Sequence, residues 1–377
     1  ASPKTNNLHR NILFLNGDTP SRPISYFDQP TPEQLWTALD EECSGACDYL
    51  SIPHNSNLSG GRMFAAYDEI DEDMLQEYAR QRLEHEPLVE IFQHKGSSEC
   101  SPYGPDEECL FEYVPFNNLI ADRYNGWLTK RPSEQDFVRW ALKEGLVFEY
   151  HTEINPYRYG FVASTDTHLG TPGLVDEEMF VGHGGAGESS SEGLVDSPYF
   201  NPGGLTGVWA TENTRGAIFD AFKNREVYGT SGPRIELRFF ATSQPIDAEC
   251  GTDEWLAQAY EGTAMGGIGT GHRFFHVWVK PDERSNPIQH IQIVRGWLDG
   301  TKAREDVYSV PSKNKGLECL TWEAPILSSE TTFYYARVLE TPTKRWSATI
   351  CESEVCPDSI EQLIQERAWS SPIWIRY

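Results

Sequence analysis

Apolar and polar positions along the chain fall into two textures. Up to about residue 232, short apolar runs alternate with helical repeats. Asn11–Leu15 (NILFL) reads as a short buried strand followed by a turn at Asn16-Gly17-Asp18. Thr31-Pro32-Glu33 opens a helix: Thr can cap, Pro suits the first helical position, and Leu35, Trp36 and Leu39 share a face. Tyr49–Pro53 (YLSIP) is a second strand that stops directly before His54. The pattern then predicts a helix over Asp71–His85 and a third strand over Leu88–Gln93 (LVEIFQ). A helix over Glu134–Glu144, capped by Ser133 and closed by Gly145, precedes a fourth strand over Gly160–Ser164 (GFVAS). A further helix starts at Asn213 or Thr214 and runs through Arg225. Alternation of this kind predicts an α/β domain with parallel strands.

After Gly232 the texture changes. Ile235–Phe240, Arg273–Val279, His290–Val294 and Thr332–Leu339 are alternating, β-branched or aromatic runs separated by Gly, Pro and Asp. They predict a mainly antiparallel β domain, which sets domains at 1–232 and 233–377. Between the textures, Gly182–Gly204 (GHGGAGESSSEGLVDSPYFNPGG) is too long and too weakly patterned for an ordinary connection. It reads as a mobile loop, with His183 exposed on it.

Composition narrows the class. Aromatics make up 12% of the residues, enough for a sizeable packed core, so extensive disorder is excluded. With 31 basic against 57 acidic residues the formal charge is −26, which repels phosphate backbones and anionic lipid. Nucleic acid and membrane are therefore not expected partners, and no run approaches the ~20 apolar residues of a membrane helix. Three cysteine pairs, Cys43/Cys47, Cys100/Cys109 and Cys351/Cys356, bracket short polar loops, leaving Cys250 and Cys319 for a long-range pair. Such placing, without CxxC spacing or accompanying His, favours disulfides over zinc and hence a periplasmic or extracellular location.

The sharpest chemical feature is FVASTDTHLG. A short strand runs into Asp166, and His168 follows two residues later, so in an extended segment both side chains point the same way. A carboxylate and an imidazole together suit zinc, manganese or iron. His54 ends a buried strand, the place where α/β folds build their sites. In QHKGSSE, Lys95 can bind an anionic substrate and Glu99 can act as acid or base; a surface ion pair is the plainer alternative. Arg215 and Arg234 are less specific candidates for phosphate. Neither TSGP nor GGIGTG carries a Walker lysine, and no GxSxG elbow occurs.

Seven segments carry a family resemblance: NNLHRNILF, LSIPHNSNLSGG, EPLVEIFQHKGSSE, NPYRYGFVASTDTHLG, VWATENTRGAIFDAFKNREVYGTSGPRI, IQIVRGW and QERAWSSPIW. They resemble the PHP (polymerase and histidinol phosphatase) superfamily of metal-dependent hydrolases, and more closely a bacterial domain family of unknown function within or beside it. The resemblance implies a distorted (β/α)7 barrel holding two or three metal ions at its C-terminal mouth. It matches His9 to the histidine after an acidic ligand in the second motif, His54 to the third motif, and Asp166 and His168 to the closing D-x-H. The superfamily's opening H-x-H has no counterpart in residues 1–8 or elsewhere. The chain is accordingly expected to be an incomplete barrel lacking its first strands, with an N-terminal fragment of the same protein as a potential partner.

The reading is thus a metal-dependent hydrolase, phosphoesterase-like, that attacks a small anionic substrate with metal-activated water. His9, His54, Asp166 and His168 are the expected ligands of divalent transition metal ions, and Asp166, Lys95 and Glu99 the expected catalytic groups. Two alternatives stand beside it: a metal-dependent lyase or hydrolase on small organic acids, and an exported carbohydrate-binding protein using Trp209, Trp297 and Trp322.

Overall fold

The computed structural model describes residues 7–115, 117, 132–180, 182, 199–313, 316–326, 331–353 and 361–377. His183 and most of the stretch expected to be mobile lie outside these residues, as does Cys356.

The first elements follow the local signals. Strand β1 is Arg10–Phe14 and helix α1 is Pro32–Glu42. Thr31 accepts from the Gln34 amide while the Gln34 side chain accepts from the Thr31 amide, a reciprocal cap with Pro32 just inside it. Then come β2 (Tyr49–Pro53), α2 (Leu75–His85), β3 (Leu88–Gln93) and β4 (Gly96–Ser97). Helix α3 spans Val138–Thr152, and β5 is Gly160–Ala163. Gly145 does not close α3 as its sequence position suggested. A Cβ there would lie 2.2 Å from Asn155 Oδ1, so the glycine admits a buried Asn side chain, and the helix ends at Glu153 in the left-handed region (φ 64°).

The chain is mixed α/β, as expected, but its sheets are mostly antiparallel. β1 and β2 pair antiparallel, with Arg10 opposite Pro53, whereas β3 and β5 pair parallel, with Leu88 opposite Gly160. Among the described residues no sheet closes into a barrel. Short apolar runs separated by helices look the same whichever way their neighbours point, and strand direction is settled by tertiary pairing. β1 also alternates between half-buried and exposed positions, as an edge strand does and a doubly covered parallel strand does not.

The later elements are β6 (Leu205–Val208), α4 (Arg215–Lys223), β7 (Val227–Thr230), β8 (Glu236–Thr242), α5 (Asp253–Tyr260) and β9 (Thr263–Ala264). They continue with β10 (Ile268–Thr270), β11 (Phe274–Lys280), β12 (Ile288–Asp299), β13 (Lys302–Pro311) and β14 (Glu318–Glu323). β15 (Thr331–Glu340), β16 (Thr343–Lys344), α6 (Trp346–Ser353), β17 (Leu363–Ile364), β18 (Arg367–Ser370) and β19 (Ile373–Arg376) complete the chain. An eight-stranded sheet runs β10-β19-β15-β18-β7-β6, with β12 and β13 joining it through β15. It takes β6 and β7 from before residue 232 and its other strands from after it. A four-stranded sheet runs β14-β11-β8-β9.

The large sheet is the middle layer. Along β15, Phe333 and Tyr335 face a core built by α2, α3, β3 and β5, while Tyr334, Ala336 and Val338 face the four-stranded sheet through Phe239, Phe275 and Val277. A buried charge network crosses the first of these interfaces. Glu99 Oε1 accepts from Arg139 (2.5 Å), Arg337 (2.8 Å) and the Tyr335 hydroxyl (2.6 Å), and Oε2 accepts from Trp369 Nε1 (2.7 Å). Asp106 bridges the same two arginines at 2.8 and 2.9 Å. Disulfides join Cys43–Cys47, Cys100–Cys109 and Cys250–Cys319, as the spacing predicted; the expected Cys351–Cys356 pair falls partly outside the described residues. Among the described residues no helix is long and apolar enough to cross a membrane.

Candidate metal centre

Because β3 and β5 lie side by side and run the same way, the segments leaving their C-terminal ends emerge together. One is Gln93-His94-Lys95 and the other Ser164–His168; β2 delivers His54 beside them. The chain reverses at Asn55 (φ 54°) and at Asp166 (φ 47°), left-handed positions that Asn and Asp tolerate better than other side chains with a Cβ. Gly203 (φ 85°) closes in from behind. A Cβ there would meet Ser164 O and Thr165 Cα at 2.7 Å and His94 N at 3.1 Å, so only glycine lets this strand of backbone pack so tightly. Asn201–Gly204, expected to be part of a mobile loop, is buried here, with Asn201 N donating to His94 O (2.9 Å) and Gly204 N to Ser164 O (2.8 Å).

Four side chains meet at one oxygen. Asp166 Oδ2 accepts from Gln93 Nε2 (3.0 Å) and from the Lys95 ammonium, and lies 3.5 Å from both His54 Nε2 and His94 Nδ1. Burial works against the Asp166 charge, but the His54 hydrogen bond and the charges of Lys95, His54 and His94 hold its pKa far below the carboxylate range. Burial likewise opposes charge on His54, yet Glu90 and Asp166 on either side outweigh it and raise its pKa to about 10. The Lys95 ammonium supplies positive charge at this carboxylate.

Three imidazoles are held in the same sense. His54 Nδ1 bonds Glu90 Oε2 (3.0 Å), His94 Nδ1 bonds the Thr165 carbonyl (3.0 Å), and His168 Nδ1 bonds the Asp166 carbonyl (2.9 Å). A carbonyl only accepts, so in His94 and His168 Nδ1 carries a proton. Metal-binding histidines are commonly oriented this way, by a carboxylate or carbonyl on the other nitrogen. Glu90 is itself fixed by Ser164 Oγ (2.8 Å) and the Asn55 amide (3.3 Å). Imidazole nitrogens and carboxylate oxygens make a donor set that fits zinc, manganese or iron.

The expected residues divide as follows. His54, Asp166 and Lys95 come together, and His168 lies exposed beside them, its ring centroid 6.4 Å from that of His94. His9 lies against them, its ring parallel to that of His54 with centroids 6.1 Å apart, and its carbonyl accepts from the His54 amide (3.1 Å). Beside His9 a cavity of about 210 Å³ is walled by Ile24, Tyr26, Pro30 and Leu35. Glu99 does not join the group: it is buried in the arginine network described above, with both oxygens engaged, and offers no exchangeable proton to a substrate. Among the described residues the one trio of ligand-type side chains whose donor atoms all lie within 4.8 Å of one another is Cys100, Asp106 and Cys109, away from this group, and there both sulfurs are spent in a disulfide and the carboxylate on two arginines. The tryptophans proposed for carbohydrate are covered by the protein's own side chains. The Arg238 guanidinium sits 3.4 Å from the Trp209 ring centre, and Arg295 lies 4.7 Å and 5.8 Å from those of Trp297 and Trp322.

Sequence reasoning missed Glu90 and Gln93, and left His94 out of the ligand set. Glu90 carried a signal, since a carboxylate inside the fully buried run LVEIFQ demands a partner. His94 carried another, directly following a strand whose neighbour ends in D-x-H.

The model of one protein family, described as Protein of unknown function (DUF3604), matches residues 1–318 and 314–377. No curated protein and no solved structure matches the chain. The chain belongs to the DUF3604 family.

Proposed function

We propose that this chain is a metal-dependent hydrolase of small anionic esters, phosphoesters first among them, built on a PHP-like site. The observation that carries the reading is the convergence of His54 Nε2, His94 Nδ1 and the Lys95 ammonium on the Asp166 carboxylate, with Glu90 bracing His54 on its other nitrogen. His54, His94, Asp166 and His168 would hold the ion, with His9 beside His54 as a further candidate. A bound divalent transition metal supplies Lewis acidity for a substrate oxygen and for an attacking water.

The protein's own groups do the rest. Glu90 and the Thr165 carbonyl fix the tautomers of His54 and His94. Gln93 holds Asp166 in place. Lys95, bonded to Asp166, carries a flexible point charge that suits a phosphate or carboxylate oxygen of the substrate. The cavity beside His9 accepts the organic part of the substrate. Three disulfides favour an oxidising compartment as the place of action.

The test joins elemental analysis of the protein as isolated to hydrolysis of chromogenic phosphomonoesters and phosphodiesters. The reading expects one or more equivalents of zinc, manganese or iron, and turnover that falls roughly 100-fold or more in His54→Ala and Asp166→Asn. A metal-free protein that takes up none of the three ions on dialysis and hydrolyses nothing in the panel would sink it.

A further inference from the structure

The lining of the cavity beside His9 restricts what it can hold. The wall combines the residues that lead into β1, the loop over residues 24–31 and the first turn of α1. Leu8, Ile24, Tyr26, Pro30, Pro32 and Leu35 make it largely apolar. Most of the polar lining is engaged with the protein itself. The buried Arg10 side chain donates through Nε to Glu86 (2.7 Å) and through Nη1 to the Leu8 carbonyl (3.0 Å). Ser25 Oγ donates to Asp28 (2.8 Å), and Thr31 Oγ1 accepts from the Gln34 amide (3.3 Å). The Tyr26 hydroxyl and the Gln29 carboxamide make no hydrogen bond among the described residues, so they are left to meet a polar substituent.

Size and position narrow the occupant further. An apolar cavity of ~150 Å³ holds one benzene. A cavity of about 210 Å³ therefore takes a single substituted ring. His9 lines it, and the His9 ring lies parallel to that of His54 with centroids 6.1 Å apart. His54 Nε2 in turn lies 3.5 Å from Asp166 Oδ2. The cavity thus reaches the candidate metal centre through two stacked imidazoles.

We infer that the organic part of the substrate is a neutral aryl group of one ring, so that the ester cleaved is of the phenyl phosphate type; this rests on the hydrolase reading above. A sugar would give up its water for a wall whose hydroxyls and guanidinium already have partners, and each polar group buried without a partner costs stability. A charged ring would find its opposite charge already paired, since Arg10 answers Glu86. A neutral ring meets neither penalty and buries apolar area against Ile24, Tyr26 and Leu35. The leaving group fits as well. Glu99, the acid expected from the sequence, is engaged elsewhere, and a phenoxide, whose conjugate acid has a pKa of ~10, departs without the proton that an alkoxide needs. In that step the water oxygen bonds to phosphorus, the bond from phosphorus to the aryl oxygen breaks, and its electron pair stays on that oxygen. The proton that the water loses ends on the phenoxide.

The experiment measures binding instead of turnover. Benzylphosphonate carries a methylene in place of the ester oxygen and is not hydrolysed. Methylphosphonate lacks the ring, and dihydroxybutylphosphonate carries a polyol in its place. Each is titrated calorimetrically into the zinc-loaded full chain. Benzylphosphonate is expected to bind at least about tenfold more tightly than either of the others, because of the ring area it buries. Ile24→Trp fills the cavity from a half-buried loop position, and Leu35→Gln makes part of the wall polar with a good helix former. Both should bring benzylphosphonate to within about threefold of methylphosphonate, leave methylphosphonate binding unchanged, and melt as the unsubstituted chain does to within a few degrees. Equal affinity for the benzyl and methyl probes, a polyol bound as tightly as the ring, or a benzyl advantage that survives both variants overturns the inference and leaves the hydrolase reading standing. Failure of all three phosphonates to bind removes the anion site on which both rest, and overturns both.

Discussion

Two clusters of buried charge, one at Glu99 and one at Asp166, are assembled from the same stretch of chain and do opposite things. Both sit just beyond β3, and both unite residues far apart in sequence. At Glu99 every formal charge meets its complement: two oxygens take four donors, and Arg139 and Arg337 reach Asp106 as well. At Asp166 one oxygen draws an amide, an ammonium and two imidazoles, while Glu90 braces His54 from behind on Nδ1. A saturated network makes the interface between layers specific; it has nothing left to offer a ligand. A braced but electron-rich cluster holds its donors in position for an ion. Burial and charge alone do not separate structure from chemistry here, whereas the saturation of each lone pair does.

The comparison breaks most visibly at Glu99. Glu99→Ala leaves Arg139 and Arg337 with Asp106 as the carboxylate they still share in a dry interface, and breaking a buried pair this way costs about 3–5 kcal/mol. Urea unfolding should show that loss, while metal content per folded molecule stays unchanged. Metal lost in proportion beyond the unfolded fraction would mean that the two clusters are one machine. Glu90→Gln probes the other side and should be smaller. It keeps the shape of the side chain but weakens the brace on His54, and bracing groups of this kind are worth roughly 10–100-fold in metal affinity. Competition with a chromogenic chelator reads this directly, and an unchanged affinity would make Glu90 a merely structural acid.

The sequence made the first side of this comparison harder to see than the second. D-x-H after an apolar strand and a histidine at a strand end are local patterns, and they led to His54, Asp166 and His168. The parallel pairing of β3 and β5 that brings them together followed from strand–helix alternation. Glu99 was misassigned because its partners Arg337, Tyr335 and Trp369 come from more than 230 positions away; nothing in QHKGSSE announces them. The barrel expectation met the same obstacle. β1 and β2 carry the apolar runs of barrel strands, but they pair antiparallel with each other, and the large sheet recruits β6 and β7 from the first texture. Periodicity reports what a segment buries, and only the assembled fold decides against what.

Lys95 sharpens the comparison furthest, since its ammonium bonds the carboxylate oxygen that a metal would need. Its ammonium bonds Asp166, whose side chain is 19% exposed, while the Lys95 side chain is 8% exposed. Lys95→Met removes a charge next to a carboxylate that water, His54 and His94 still serve, so unfolding should shift by no more than about 1 kcal/mol, unlike the loss at Glu99. Two functional effects then pull apart. Metal affinity should hold or rise, because an ion no longer competes with an ammonium for Asp166 Oδ2. The KM for an anionic ester should rise about tenfold, the worth of one hydrogen bond to a charged group, with a smaller change for a neutral ester of the same leaving group. Steady-state kinetics on that matched pair, with metal saturating, makes the measurement. Equal losses on both esters would place Lys95 with Glu99, as a charge that holds the structure.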